Sequence, residues 1–154
     1  MTARLRRLER RQLLPLDLEA AWAFFSRPEN LARITPDDLG FVITSPVPER
    51  MYAGMIVSYR VGAFPGVRVP WVTEITHVRE PLFFVDEQRS GPYRFWHHLH
   101  HFRETAGGIE MTDLIHYQLP GGRLGDLIAG RAVERRLAAI FDHRRRTLAA
   151  LFGG

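Results

Sequence analysis

The sequence predicts an α+β fold in which a seven-stranded curved antiparallel β-sheet wraps around one long C-terminal α-helix. Three observations predict it. Between Gly40 and Leu119 the chain runs through segments rich in β-branched and aromatic residues, "FVITS", "IVSYRV", "VRVPWVTEITHV", "LFFVDEQR", "YRFWHHLHHFRE" and "IEMTDLIHYQL". Only short turn signals separate them ("SPVPE", "FPG", "REP", "SGP", "TAGG"), so neighbouring strands run antiparallel rather than through parallel βαβ crossovers. From Leu124 to Phe152, apolar residues recur at three- and four-residue spacing, the period of an amphipathic helix.

Each element follows in chain order. Residues 4–13 form a first strand, despite their arginines. Asp17 stands where an N-cap belongs, ahead of "LEAAWAFF", whose Leu18, Ala21, Trp22 and Phe25 share one helical face. Pro28 suits the first turn of a second short helix, "PENLARI", which Pro36 ends. Six strands then form a meander. In the terminal helix Val133, Leu137, Ile140, Phe141, Leu148, Leu151 and Phe152 make the apolar stripe, and Arg135, Arg136, Arg145 and Arg146 the opposite face. The glycines of "PGGRLGDL" at 120–127 read as the turn that starts this helix. A sheet curved around such a helix leaves a hollow, which suits an apolar ligand when its lining is aromatic.

The 154 residues, 45% hydrophobic and 25% charged, fit a single globular domain over 1–154. With no cysteine, disulfides and thiolate metal sites are excluded. The basic N-terminus is interrupted by Pro15, Asp17 and Glu19 and does not read as a signal peptide; no run matches a membrane span, so a soluble, cytoplasmic protein is expected. All 21 basic residues are arginine, the net charge is +4 and the pI is about 10.3. The 17 acidic residues are interspersed, which argues against nucleic acid as a partner. Arginines do gather in "RLRRLERR" and in "RRR" at 144–146, as a solvated face or as a surface for an acidic partner or anionic lipid.

The chemistry concentrates in "WHHLHHF", residues 96–102, which holds four of the seven histidines. The "TAGG" loop makes this strand and the next a hairpin. A register with Phe102 opposite Met111 puts His100 opposite Asp113, His98 opposite Ile115 and Trp96 opposite Tyr117, all on one sheet face. His97 and His101 then fall on the wetter face, as do Phe95, Leu99 and Leu114, which mark either a dimer surface or a slipped register. Three readings of the inward histidines stay open. His100 and Asp113 are a hydrogen-bonded core pair, or a polar anchor for a ligand, or a catalytic pair in which Asp113 orients His100 as general base.

No metal and no cofactor are expected. His98, His100, Asp113 and Glu104 are suitable ligand types, and "HLHHFRE" matches part of the cupin motif. The motif's glycines are displaced or missing, and no second motif follows. No nucleophile elbow, P-loop or dinucleotide fingerprint is present.

The landmarks "FFSRPENLARITPDDLGF", "YAGMIVSYRV", "PWVTEI", "FVDEQRSGPYRFWHHLHHF", "MTDLIHYQLPGG" and "RLAAIFDHRRRTL" resemble, in order and over nearly the whole chain, a bacterial branch of the SRPBCC, or START-like, superfamily. That superfamily includes the major birch pollen allergen, lipid-transfer START domains and polyketide cyclases. The resemblance implies a helix-grip fold with two short helices after strand 1 and a cavity between sheet and C-terminal helix. It implies a small hydrophobic or amphipathic ligand in that cavity, bound by Trp96, His98, His100, Phe102, Met111, Asp113 and Tyr117 from the hairpin register and by Trp71, Leu137 and Phe141, which the resemblance and the helical period add. The alternative is a polyketide cyclase- or dehydratase-like enzyme, the class suggested by the cyclase members, with His100 and Asp113 of the hairpin register as its general-base pair.

Overall fold

The structure is a computed structural model that describes residues 3–64 and 67–153. Strand β1 (Arg6–Leu14) leads into helices α1 (Leu18–Phe25) and α2 (Pro28–Arg33), and a short 3-10 turn follows at Asp37–Leu39. Strands β2 (Val42–Ile43), β3 (Met55–Phe64), β4 (Val67–Arg79), β5 (Phe83–Ser90), β6 (Phe95–Thr105) and β7 (Gly108–Gln118) come next, then helix α3 (Gly122–Phe152). The sheet order is β1-β7-β6-β5-β4-β3-β2, and every neighbouring pair is antiparallel. The meander is closed at one edge by the first strand, which returns to pair with the last. The turn expected at "FPG" falls on Pro65 and Gly66, outside the described residues.

Local chemistry explains most boundaries. The Asp17 carboxylate accepts a hydrogen bond from the Ala20 N–H at 2.7 Å and so caps α1. Pro28 opens α2, where its missing N–H removes no helical bond. The strand expected at "FVITS" shrinks to two residues, because the Ser45 hydroxyl takes the Ser58 N–H in place of a backbone carbonyl and Pro46 follows. Gly121 and Gly122, with φ of 84° and 63°, make the left-handed entry into α3, two residues earlier than the apolar pattern begins.

The 31 residues of α3 rise roughly 46 Å. Its buried stripe runs through Gly130, Leu137, Phe141, Arg144 and Leu148. Two expectations for this helix are corrected. Leu151 is 42% exposed, since the stripe ends on Phe152 packed against Phe24. Arg144, grouped by sequence with a solvated arginine run, is buried at 8% exposure.

The core has two parts. Beneath α1, Leu14, Trp22, Phe84, Phe102, Ile109, Met111 and Leu148 pack together. Ile115, Tyr117, Leu119, Leu137 and Phe141 form the second part beneath the middle of α3. Among the described residues no helix is long and apolar enough to cross a membrane.

Candidate functional site

The β6–β7 register is the expected one: Trp96 opposite Tyr117, His98 opposite Ile115, His100 opposite Asp113 and Phe102 opposite Met111. Unbroken pairing excludes the slipped register as the reason Phe95, Leu99 and Leu114 lie on the outer face. His98 and His100 are both buried, with stacked rings 3.6 Å apart. Phe84 stacks on the other side of His100 at 4.0 Å, so the imidazoles are fixed by neighbours two apart along one strand and by the adjacent strand.

The hydrogen bonds are crossed relative to expectation. His98 Nε2 bonds Asp113 Oδ1 at 2.7 Å, and His100 Nε2 bonds Asp86 Oδ2 at 2.5 Å. The His100–Asp113 pair is therefore corrected. Although they face each other across the ladder, His100 Nδ1 lies 3.5 Å from Asp113 Oδ1 and makes no hydrogen bond with it. Asp86 on β5 also pairs across from His98 and reaches its Nδ1 at 3.7 Å. Each imidazole thus lies between two carboxylates, one from each flanking strand.

Burial alone would raise both carboxyl pKa values, but their partners prevail. The Asp113 carboxyl is held down to about 2 by the His98 hydrogen bond and the charges of His98, Arg144 and His100. Asp86 is likewise lowered, by His98, by His100 and by the Trp96 indole. Burial, reinforced by His98, pushes the His100 pKa down and outweighs its two acidic neighbours. The low carboxyl values keep both acids as acceptors, so His98 and His100 each donate from Nε2.

Beside this cluster is a cavity of about 460 Å³ between the sheet and α3. Trp71, Trp96, His98, His100, Leu137 and Phe141 line it, as do Asp86, Tyr59, Tyr93, Phe84 and Arg144. Four expected lining residues are not on this wall. Phe102 is fully buried against Trp22 and Phe25, because α1 covers that end of the hairpin. Met111 belongs to the same packed layer. Tyr117 sits behind Trp96 and Tyr93. Asp113 lies behind His98, 2% exposed.

Two residues that complete the site escaped the sequence reading. Asp86 alternates with Phe84 on β5, a period-two signal for the inner face. Arg144 follows Phe141 by three residues and precedes Leu148 by four, inside the apolar stripe. Its guanidinium lies over the Phe141 ring at 4.5 Å and reaches Asp113 Oδ1 only at 3.7 Å.

Asp86, His98 and His100 bring three metal-type ligand atoms within 4.8 Å of one another. Glu104, the other acid considered for that role, is exposed near the end of β6. His100 and Asp86 already share a short hydrogen bond, so a metal ion would have to replace that proton.

The same arrangement of strands and helix occurs in known structures. A Chromobacterium violaceum protein superposes with a TM-score of 0.70 at 14% identity, covering 97% of this chain and 99% of that one. The major latex-like protein 151 of Panax ginseng gives 0.67 at 16% identity, covering 96% and 97%. The di-domain ARO/CYC protein StfQ of the steffimycin biosynthetic pathway gives 0.66 at 14%, covering 95% of this chain and 50% of that one. The chain has the helix-grip fold. At these identities the likeness is one of fold. No family model matches the sequence, and no curated protein matches it. His98, His100, Asp86 and Arg144 form the polar end of the space between sheet and helix.

Proposed function

We propose that this START-like chain, acting as one domain, binds a small hydrophobic or amphipathic molecule between the sheet and α3. The observation that carries the reading is the cavity itself, about 460 Å³ with an aromatic and aliphatic wall converging on one buried polar cluster. Burial of a ligand's apolar surface on Trp71, Trp96, Leu137 and Phe141 supplies most of the affinity, at roughly 25 cal/mol per Å². His98, His100 and Asp86 orient it. Phe102, Met111, Tyr117 and Asp113 act from behind the wall, by packing and by holding His98.

A cyclase-like reaction is the second reading, favoured by one observation: an acid-oriented histidine, His100 on Asp86, at the wall of the cavity. Binding is the better supported of the two. Both ring nitrogens of His100 lie within 3.5 Å of a carboxylate oxygen, and both of those of His98 within 3.7 Å. The nitrogens left to accept a proton, His98 Nδ1 and His100 Nδ1, therefore sit beside carboxylates rather than alone on the cavity wall.

Val133 lines the cavity from α3 and is only half-buried, so a larger side chain there fills the space without breaking the core. In a fluorescence titration, the wild-type protein binds N-phenyl-1-naphthylamine and Val133→Trp weakens it at least about tenfold, a loss of about 1.4 kcal/mol. Equal affinity in both proteins, with unchanged circular dichroism, places the probe elsewhere and removes the support for the cavity.

A further inference from the structure

Arg144 is the most anomalous side chain in the molecule. A buried guanidinium normally satisfies its planar fork of donors with carboxylates or carbonyls. Arg144 is 8% exposed, yet its Nε has no hydrogen-bond partner. Its one ion pair among the described residues, to Asp113 at 3.7 Å, is too long for a hydrogen bond. Asp113 Oδ1 already accepts from His98. The second buried donor without a partner among the described residues is Trp71 Nε1. Both side chains line the same cavity. The Phe141 ring lies 4.5 Å from the guanidinium carbon and helps hold the group in place while its Nε stays without a partner.

We propose that the cavity takes an apolar molecule carrying one acidic oxyanion head group, a carboxylate or its equivalent, and that Arg144 binds that head. This rests on the reading of the cavity as a ligand site, and names the ligand class. A carboxylate matches the guanidinium fork in two parallel hydrogen bonds, the strong form of this contact, and does so in a buried site where water competes little. Leaving such a charge unpaired in the interior is strongly unfavourable. Asp113 offsets part of that cost at 3.7 Å, and an anionic head offsets the rest. Asp86, the other acid on the wall, is occupied by His100 and does not reach Arg144 among the described ion pairs. Trp71 Nε1 donates to a further acceptor oxygen on the same ligand.

Two probes that share one aromatic body separate the head group from the cavity. 8-Anilinonaphthalene-1-sulfonate carries an oxyanion; N-phenyl-1-naphthylamine is the same body without it. The Arg144→Met change, which keeps length and apolar bulk, is expected to weaken the sulfonate about tenfold or more while the neutral probe stays within about threefold. Arg144→Lys, which restores the charge without the fork, recovers part of the loss. The neutral probe reports that the variant is folded. Equal weakening of both probes, or an unchanged ratio between them, overturns the assignment of Arg144 and leaves the cavity reading intact. Failure of the wild-type protein to bind either probe overturns both.

Discussion

His98 and His100 are two residues apart on one strand, yet they answer to different acids. The strand alternation puts both on the inner face, and the neighbouring strands then supply one carboxylate each: Asp113 from β7 and Asp86 from β5. The pairing predicts a specific NMR result. In Asp86→Asn the imidazole nitrogen resonances of His100 move by more than those of His98, and in Asp113→Asn the order reverses; both wild-type rings keep a proton on Nε2. The opposite pattern means the crossed hydrogen bonds are wrong. The His100–Asp113 opposition was legible in the sequence because register follows from the hairpin turn. The hydrogen bonding was not, because a histidine on an interior strand has two flanking strands, and only one of them follows it in the chain. Arg144 shows a different limit: a charge reads as a mark of the surface, although its place three residues after Phe141 and four before Leu148 points inward.

At the scale of elements, the pattern carried most of the fold. Helix α1, both strands of the β6–β7 hairpin and the long helix lie within a few residues of where periodicity and turn chemistry put them. The departures are at β2, where a serine side chain ends the ladder, and at the start of α3, where glycines wind the first turn before any apolar residue appears. Helix α1 has a particular duty, since Trp22 closes the end of the sheet over Phe84 and Phe102 and thereby separates packed core from cavity. Its cap is a single hydrogen bond from the Ala20 N–H to Asp17. Asp17→Ala is expected to lower stability by about 1 kcal/mol in urea denaturation, with the slope of the transition unchanged. No measurable change would mean the helix start is held by packing alone.

For the whole molecule, the buried cluster ties stability to pH in one direction. The His100 pKa is lowered on folding, so protonation favours the unfolded chain and stability falls as pH drops below about 6.5. Asp113 falls from its usual value to about 2 on folding. Its contribution, about 2 kcal/mol, is present above about pH 4 and is lost as the pH descends toward 2. Acid unfolding followed by circular dichroism should therefore show a loss in that lower window which Asp113→Asn lacks. A wild-type protein as stable at pH 3 as at pH 7 would contradict the cluster's electrostatics.

The cavity and two exposed leucines on the first turns of α3, Leu124 and Leu127, compete as places for an apolar molecule to settle. Intermolecular nuclear Overhauser effects from bound N-phenyl-1-naphthylamine decide between them most directly. The account predicts contacts to the ring protons of Trp71, Trp96 and Phe141 and to the Leu137 methyls. Contacts confined to Leu124 and Leu127 would contradict it.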